Sequence, residues 1–436
     1  MVATTWRIDP VGPLHGDVTV RGSKNAVTKH MVAAVLADGP CVLQNCPEIG
    51  DIQITTGMLE SLGCVVEVDQ DMVTTDAAGL SSGQVPLSYG GLNRIPILLL
   101  GPLLHRVGEA FVPIVGGDHL GRRPLDFHVA ALAAMGAEVE EAADGVHAKA
   151  TGLHGARIRL PFPSVGATET VLLTAVLAEG RTILDNAATE PEVVELALYL
   201  QRMGARLELR PDRRFVIEGV DRLQGAEHSL EGDRIEAFSY LVAGLVTGGR
   251  VRVFGCGQDR LVTAISTLSR MGAGFEITDY YLSAGGGDLR SAVVQTDTHP
   301  GFMTDWQSPL VTLFTRCHGM SVMHETVFDG RFSYADALRE MGAAIELYDS
   351  CLGGRDCRFH EANVVHSAVV HGPTPLQGAD ITVPDIRGGF AYVIAAAAAE
   401  GTSVLRDVHH LERGYHRPLQ AFAELGLPIV RDEDDG

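Results

Sequence analysis

The segment from Gly116 to His128 combines a bendable backbone with side chains suited to acid–base chemistry and anion binding. Its titratable and charged groups include two carboxyls, an imidazole and two guanidiniums, on Asp118, Asp126, His119, Arg122 and Arg123. Three glycines leave the main chain free to wrap around a ligand. A glycine-rich polar loop is most often a solvated connection, but this concentration of reactive groups predicts a mobile catalytic lid over residues 110–125.

Two recurring sequence patterns that end in glycine indicate the elements that must position these groups. A helix-ending glycine followed by a short strand-like run occurs at Gly63, Gly136, Gly204, Gly272, Gly342 and Gly426. A second series closes apolar helices at Gly39, Gly108, Gly180, Gly249, Gly319 and Gly401. Glycine suits the residue after a helix because it enters the left-handed region without a Cβ clash. The two series predict six repeats of about seventy residues, in an α/β fold with right-handed crossovers.

The helices of the second series should begin about fourteen residues before their glycines, a length of roughly 21 Å. The residues at those places are Lys24, Arg94, Gly166, Arg234, Asp305 and Arg387. If the helices run in parallel, their N-termini open together and offer unpaired N–H groups to an anion. Helix caps favour Ser, Thr, Asp or Asn, and cations at a helix start oppose the dipole. The Lys and Arg residues there therefore indicate an anionic ligand.

Composition narrows the class of protein. The length of 436 residues and the apolar content of 46% suffice for two or three domains. The formal net charge of -21 argues against a nucleic-acid surface, because phosphate backbones need a broad basic face. No apolar run approaches a membrane span and the N-terminus lacks an apolar signal core. We therefore expect a cytoplasmic protein with no nucleic-acid or membrane partner.

The cysteines indicate neither a disulfide framework nor a zinc site. They are odd in number and mostly scattered, at Cys41, Cys46, Cys64, Cys256, Cys317, Cys351 and Cys357. Cys351 and Cys357 lie closest among the later ones, but their spacing matches no common metal site. A His-Glu-x-x-His motif is absent. We expect reduced, buried thiols, no metal and no cofactor.

Seven separated motifs carry a resemblance to a known family. In chain order they are Arg21-Gly-Ser-Lys-Asn25, the segment 116–128, Pro163-Ser-Val-Gly-Ala-Thr-Glu169, Thr304-Asp-Trp-Gln307, Glu325-Thr-Val-Phe-Asp-Gly-Arg331, Asp385-Ile-Arg387 and Glu412-Arg-Gly-Tyr415. With them the chain resembles the enolpyruvyl transferases, specifically the UDP-N-acetylglucosamine enolpyruvyl (1-carboxyvinyl) transferases of peptidoglycan synthesis. The resemblance covers nearly the whole length. The sister enzymes of aromatic amino-acid synthesis share the Gly-Ser-Lys start, but their characteristic loop is absent here.

The resemblance implies an inside-out α/β barrel of two domains, each built from three βαβαββ units. The first domain would comprise residues 22–231 and carry the lid, and the second would comprise residues 1–21 plus 232–436. The partners implied are phosphoenolpyruvate and a uridine nucleotide or nucleotide sugar. The reaction implied is transfer of the enolpyruvyl group to a sugar 3-hydroxyl with loss of phosphate, which requires stabilisation of a phosphate and a carboxylate.

The resemblance also implies roles for individual residues. Lys24, Arg123 and Arg413 would hold phosphoenolpyruvate, with Arg387 on its carboxylate, where a planar guanidinium pairs with two oxygens. Asp305 would take the proton from the sugar hydroxyl and Asn25 would orient the intermediate. The acceptor subsite would be lined by Arg94, Arg123, Pro124, Leu125, Asp126, Phe127, Ser164, Val165, Val327 and Arg331.

The lid departs from the family pattern at one reactive position. Most relatives carry a cysteine where this chain has Asp118, and a carboxyl can serve as the proton donor. The epoxide antibiotic fosfomycin acts on the family by alkylating that cysteine, so the chain is expected to resist it.

Three functions compete at this point. The first is the cell-wall enzyme itself. A second is enolpyruvyl transfer to a simpler nucleotide such as UMP in secondary metabolism, suggested by His119, Arg122 and Phe390, which replace smaller residues of many relatives. The third is a non-catalytic paralogue that binds a nucleotide sugar, which would have lost the proton-transfer groups that this chain retains.

Overall fold

The computed structural model describes residues 4–117, 121 and 124–433. Asp118, His119, Arg122 and Arg123 lie outside the described residues, so their predicted roles remain predictions. The described chain divides into two compact units. One comprises residues 22–117 and 124–231, and the other comprises residues 4–21 and 232–433 together with Gly121.

Strands and helices are interspersed along the described chain. The strands are β1 (Thr4–Ile8), β2 (His15–Thr19), β3 (Ala37–Asp38), β4 (Cys41–Gln44), β5 (Val65–Asp69), β6 (Met72–Asp76), β7 (Glu109–Pro113), β8 (Glu138–Glu141), β9 (Gly145–Lys149), β10 (Arg157–Arg159), β11 (Arg181–Asp185), β12 (Arg206–Arg210), β13 (Arg214–Glu218), β14 (Leu223–Gln224), β15 (Glu227–Ser229), β16 (Arg250–Phe254), β17 (Gly274–Ile277), β18 (Tyr281–Gly285), β19 (Val293–Gln295), β20 (Gly319–His324), β21 (Ala344–Tyr348), β22 (Ser367–Gly372), β23 (Asp380–Thr382), β24 (Ser403–Arg406) and β25 (Ile429–Glu433).

The α-helices are α1 (Lys24–Ala34), α2 (Gly50–Ser61), α3 (Leu100–Val107), α4 (Asp126–Ala134), α5 (Val165–Ala175), α6 (Pro191–Arg202), α7 (Arg234–Val246), α8 (Val262–Arg270), α9 (Gln307–Phe314), α10 (Ala335–Glu340), α11 (Ile386–Ala398), α12 (His409–Gly414) and α13 (Pro418–Glu424). Short 3-10 helices occur at Leu87–Tyr89, Ile95–Leu99, Gln258–Arg260 and Thr304–Trp306. None of these helices is long and apolar enough to cross a membrane.

Each unit contains three larger sheets with a common strand order, and the unit of residues 22–231 also has a two-stranded parallel sheet of β14 and β3. In the unit of residues 22–231 the orders are β15-β4-β6-β5, β7-β9-β8 and β10-β11-β13-β12. A parallel bridge between Gln84 and Phe111 occupies the place of the fourth strand in the second of these. In the other unit the orders are β17-β18-β16-β2, β19-β20-β22-β21 and β23-β24-β1-β25. In the four-stranded sheets an edge strand pairs in parallel with its neighbour. That neighbour pairs antiparallel with one strand of a hairpin, and the other hairpin strand forms the opposite edge of the sheet.

These sheets confirm the predicted repeat of strand, helix, strand, helix and hairpin. In the last repeat the second hairpin strand is replaced by β1, which lies between β24 and β25. The six glycines that follow the outer helices, Gly63, Gly136, Gly204, Gly272, Gly342 and Gly426, all have φ between 90° and 107°, as a left-handed helix terminus requires. In the second series Gly248 takes this conformation instead of Gly249.

The central helices are buried on all sides, which is why the architecture is inside-out. Every residue of α7 is buried, and so is α11 from Ile386 to Ala397. A helix that is apolar all round must lie inside the protein. In one unit α7, α9 and α11 pack against one another, and in the other the 3-10 helix at Ile95–Leu99 packs against α1 and α5. The sheets cover these helices on the outside.

Candidate functional site

Two hydrogen bonds bring the starts of α7, α9 and α11 together. The indole Nε1 of Trp306 donates to the carbonyl of Arg234, the first residue of α7, at 3.2 Å. The hydroxyl of Ser308 in α9 donates to the carbonyl of Arg387 at 2.9 Å. The predicted helix starts at Arg234, Asp305 and Arg387 are therefore neighbours in this unit. At Asp305 the helix begins as a 3-10 turn, Thr304–Trp306, and continues into α9.

The cap residues correct one prediction about these helix starts. The carboxylate of Asp233 accepts the N–H groups of Ile235 and Glu236, at 2.8 and 3.1 Å. That of Asp385 accepts the N–H groups of Arg387 and Gly388, both at 2.8 Å. Ser23 and Ser164 cap α1 and α5 in the same manner. These caps supply acceptors for two N–H groups each at α7 and α11 and for one each at α1 and α5, so the expectation that helix-start N–H groups face an anion does not hold for the capped groups.

Arg387 is one of two deeply buried cations at these helix starts, with 4% of its surface exposed against 2% for Arg234. Its guanidinium carbon lies 5.3 Å from the centroid of the Tyr415 ring. Burial by itself lowers the pKa of Arg387, but Tyr415, Asp305 and Asp233 raise it, and the net pKa lies above the usual range. Its Nη1 is buried without a hydrogen-bond partner among the described residues. A buried donor of this kind indicates an acceptor supplied by a ligand.

The segment that carries Arg413 lies against the start of α11. A Cβ added to Gly414 would collide with Ile386, the first residue of α11, so only glycine lets the two backbones approach this closely. The next residue, Tyr415, stacks on Phe390. Arg413 itself is half-buried at the end of α12. The motifs Asp385-Ile-Arg387 and Glu412-Arg-Gly-Tyr415, far apart in the chain, are thus adjacent in the structure.

Asp305 pairs with an arginine from the same unit. Its Oδ1 lies 2.6 Å from Nη2 of Arg331, a side chain that is almost completely buried. An adjacent guanidinium favours an ionised carboxylate, which is the form that can accept a proton. Arg331, which is predicted to contact substrate, is thus in an ion pair with the predicted base.

Glu325 is a buried residue whose individual role the sequence did not reveal. Its carboxylate accepts hydrogen bonds from Thr304 Oγ1 and Gln307 Nε2, at 2.9 and 2.8 Å. The N–H groups of Val327 and Phe328 donate to its other oxygen, at 2.7 and 3.0 Å. Burial raises the pKa of Glu325, while Arg331 and these hydrogen bonds lower it. Glu325 thus fixes the turn that carries Asp305 and the backbone at Val327. Its position at the head of the 325–331 motif was the available signal.

In the other unit, Lys24 already has an anionic partner. Its ammonium group lies 2.8 Å from Oδ2 of Asp51, with side-chain exposures of 17% and 3%. Asp51 is the second residue of α2, and nothing in its sequence context singled it out. An ammonium group has three donors, so an ion pair with Asp51 does not by itself exclude a phosphate contact. Asn25 follows Lys24 in α1, and its backbone N–H is capped by Ser23.

The predicted acceptor residues of this unit lie on two helices in mutual contact. Pro124 and Leu125 precede α4, Asp126 and Phe127 begin it, and Ser164 and Val165 stand at the start of α5. The two helices pack together. The imidazole Nδ1 of His128 lies 2.7 Å from the hydroxyl of Thr170.

Arg94 directly precedes the 3-10 helix Ile95–Leu99, which packs against both α1 and α5. The structure therefore brings Lys24, Arg94 and Ser164 to three contacting helices.

Lys29 and Glu169 form a buried pair that links α1 to α5. The Lys29 Nζ lies 3.4 Å from Glu169 Oε1. Burial nevertheless raises the pKa of Glu169 to about 7, although Lys29 lowers it. The distance between the two groups indicates an ion pair. The pKa, in contrast, indicates a carboxyl that is half protonated at neutral pH. The pKa of Glu169 is raised because desolvation of a fully buried carboxylate outweighs the attraction of one partner at this distance.

The Glu169→Gln variant should therefore gain stability relative to the parent as the pH rises. A carboxyl with a raised folded-state pKa contributes stability below its unfolded pKa and loses it as the pH rises through the folded value. The free energy of unfolding of the parent should fall relative to the variant by about 2–3 kcal/mol between pH 5 and pH 8. Urea titrations at both pH values measure this. Glu208→Gln, which removes an exposed partner of Arg210, should show no such change. A constant difference for Glu169→Gln would contradict the raised pKa.

One predicted specificity signal belongs to the core. Phe390 has no exposed surface, and its ring centroid lies 4.1 Å from that of Tyr415. It also contacts Tyr240 and Phe422. The suggestion that Phe390 alters the acceptor is wrong, because the side chain points into the hydrophobic core.

Comparisons with known proteins decide the family. The family described as EPSP synthase (3-phosphoshikimate 1-carboxyvinyltransferase) matches residues 8–421. The chain belongs to the EPSP synthase family. Within this family it is 41% identical to a UDP-N-acetylglucosamine 1-carboxyvinyltransferase of Protochlamydia amoebophila, over 97% of this chain and 93% of the relative. It is 42% identical to the protein of that name from Chlamydia abortus, over 95% of each chain.

Solved structures of the EPSP synthase family confirm the fold class. The enolpyruvyl transferase NikO from Streptomyces tendae superposes with a TM-score of 0.87 at 24% identity, covering 99% of both chains. An EPSP synthase from Acinetobacter baumannii gives a TM-score of 0.73 at 18% identity, covering 99% of this chain and 100% of its own. The predicted two-domain, six-repeat α/β architecture is thereby confirmed.

Proposed function

We propose that the protein transfers the enolpyruvyl group of phosphoenolpyruvate to the 3-hydroxyl of UDP-N-acetylglucosamine, with release of phosphate. The observation that carries this proposal is the 41% identity, over 97% of the chain, to a protein named for that activity. The reaction supplies a precursor of peptidoglycan. The two compact units would be the two enolpyruvyl transferase domains. All seven cysteines are free thiols, which supports a reducing, cytoplasmic location.

The residues of the unit 232–433 suit the proton and charge transfers of this reaction. Arg387, with its buried Nη1, would receive the carboxylate of phosphoenolpyruvate in a paired contact. Asp305, held by Arg331, would accept the proton of the attacking hydroxyl. Arg413 would bind phosphate oxygens. Val327, whose backbone N–H is held by Glu325, would contact the acceptor.

Residues of the other unit and of the lid would take further roles in this reaction. Lys24 would bind phosphoenolpyruvate while paired with Asp51, and Asn25 would orient the tetrahedral intermediate. Arg94, Ser164, Val165 and the residues from Arg123 to Phe127 would bind the acceptor nucleotide. Asp118 would protonate the methylene carbon of the enol.

A phosphate-release assay with phosphoenolpyruvate and a panel of uridine nucleotides tests the proposal. Release with UDP-N-acetylglucosamine and not with UMP is the expected result. Phosphate release with UMP and not with the nucleotide sugar would instead support the alternative function, enolpyruvyl transfer to UMP in secondary metabolism. Tight binding of the nucleotide sugar without phosphate release under any condition would indicate a non-catalytic paralogue.

Binding of the nucleotide sugar should protect residues 110–125 from hydrogen exchange. A lid that contributes Asp118 and Arg123 to the site must become ordered around the ligand. Exchange mass spectrometry with saturating UDP-N-acetylglucosamine measures the effect, and the exposed strand β17 is an internal reference. Equal exchange of residues 110–125 with and without ligand would show that they are not a lid.

A further inference from the structure

Four side chains with metal-ligand chemistry converge in the unit 232–433, outside the residues assigned to the reaction. They are His324, Cys351, Cys357 and His366, and one ligand atom from each lies within 4.8 Å of the others. His324 ends β20, and His366 directly precedes Ser367, its cross-strand neighbour in β22. The cysteines lie in the connection between β21 and β22. The sequence showed no zinc pattern because the four ligands come from a strand and a long connection rather than from one compact motif.

Two distances within this cluster match those of a tetrahedral site. The two sulfur atoms are 3.6 Å apart, and Sγ of Cys351 lies 3.4 Å from Nε2 of His366. With Zn–S and Zn–N bonds of about 2.3 and 2.05 Å, tetrahedral angles place two sulfurs about 3.8 Å apart and a sulfur and a nitrogen about 3.6 Å apart. The observed separations fall within about 0.2 Å of these values. A disulfide would need sulfur atoms about 2.05 Å apart.

The imidazole of His324 is the strongest sign of a missing partner. The residue has no exposed surface, and neither ring nitrogen has a hydrogen-bond partner among the described residues. A buried polar group without a partner is unfavourable, and His324 carries two such atoms. A metal ion bound to one ring nitrogen would give that atom the partner it lacks.

The surroundings orient the other three ligands. His366 contacts the carbonyl of Val364 through Nδ1 at 2.8 Å, so Nδ1 carries the proton and Nε2 presents its lone pair to the cluster, as in many metal sites. The N–H of Cys357 donates to the sulfur of Cys351, and the N–H of Phe359 donates to that of Cys357, both at 3.4 Å. These bonds hold the two sulfur atoms in place beside the histidines.

A glycine lets the connection pass close over His324. A Cβ added to Gly353 would collide with the His324 ring and with the amide of Gln295. The backbone between the two cysteines is thereby held against the histidine.

From these observations we propose that His324, Cys351, Cys357 and His366 form a structural Zn²⁺ site. Two sulfur and two nitrogen ligands in tetrahedral arrangement select zinc among the common ions, and four protein ligands leave no open position for catalysis. The ion would fasten residues 349–366, which contain no helix or strand, to the end of β20. Glu325, which fixes the turn of Asp305, follows His324 directly. The site does not depend on the proposed function.

Metal analysis of the full-length protein, without a polyhistidine tag and under reducing conditions, tests the site. Elemental analysis should find about one zinc per chain. After removal of zinc with a chelator, titration with Co²⁺ should give the visible absorption of a tetrahedral ion together with a sulfur-to-cobalt charge-transfer band. Zn²⁺ should abolish both bands. These measurements use the parent protein, so they remain decisive even if a variant fails to fold.

Two variants locate the ion. The double variant Cys351→Ser, Cys357→Ser should lose the charge-transfer band and the bound zinc, whereas Cys256→Ser, which removes a buried cysteine of the same unit, should retain both. The charge-transfer band separates this site from the sulfur-free cluster of His30, Glu195 and His228 in the other unit. The proposal is wrong if the reduced parent binds no metal, if Cys351 and Cys357 form a disulfide, or if the double variant keeps its charge-transfer band.

Discussion

The turnover rate of the Asp305→Ala variant should be lower than that of the parent by a factor of about 10²–10⁴, the usual contribution of a general base. The loss should appear in kcat rather than in KM, because a group that acts only on the proton being transferred stabilises the transition state and not the bound substrate. Asp305→Asn should be impaired to a similar extent, because an amide keeps the shape but cannot accept the proton.

The matched control is Asp336→Ala. Asp336 is also an aspartate in an ion pair with an arginine, 2.7 Å from Nη1 of Arg339, but it is exposed on α10. This variant should keep its activity within about twofold, because exposed ion pairs contribute little. Thermal unfolding of each variant shows whether the fold is preserved. An Asp305→Ala variant that folds and retains activity within about threefold of the parent would remove Asp305 from the role of base.

Replacement of Asp118 should have two separable consequences. If Asp118 delivers the proton to the enol, the rate of the Asp118→Asn variant should be lower by a factor of about 10²–10⁴. Asparagine has nearly the same shape, so folding and nucleotide binding should persist. An aspartic acid in water is almost fully ionised at neutral pH, so the phosphate and carboxylate of the bound substrate must favour its protonation against the nearby cations. Activity should consequently decline as the pH rises.

The same side chain should decide inhibition by fosfomycin. A carboxylate is a much poorer nucleophile toward an epoxide than a thiolate. The parent should therefore keep its activity through a long preincubation with fosfomycin. Asp118→Cys should be active and then lose activity with time, and its mass should rise by one molecule of inhibitor. The seven native cysteines provide the internal control, because the parent carries all of them.

Two outcomes would contradict this role of Asp118. One is rapid covalent labelling of the unmutated protein at Asp118. The other is an Asp118→Cys variant that remains active but is never labelled, which would place position 118 away from the reactive part of the inhibitor.

The sequence by itself determined the repeat and the residues around which it is built. The positions of helix ends follow from local backbone chemistry, because a left-handed residue after a helix favours glycine wherever the rest of the chain lies. Four of the six helix starts predicted by counting back from the glycines fall at the first or second residue of α1, α5, α7 and α11. The other two, Arg94 and Asp305, fall within one residue of the start of a 3-10 helix. Family motifs were equally readable, because each one is contiguous.

Only the tertiary structure decided which side chains meet. Asp51 next to Lys24, Glu325 under the Asp305 turn, and the cluster of His324 with Cys351 and Cys357 each join residues that no local pattern connects. Phe390 is a core residue because α11 is buried all round, a fact that depends on the helices and sheets packed against it. Periodicity and turn chemistry act over a few residues, whereas the pairing of buried polar groups depends on packing between distant segments.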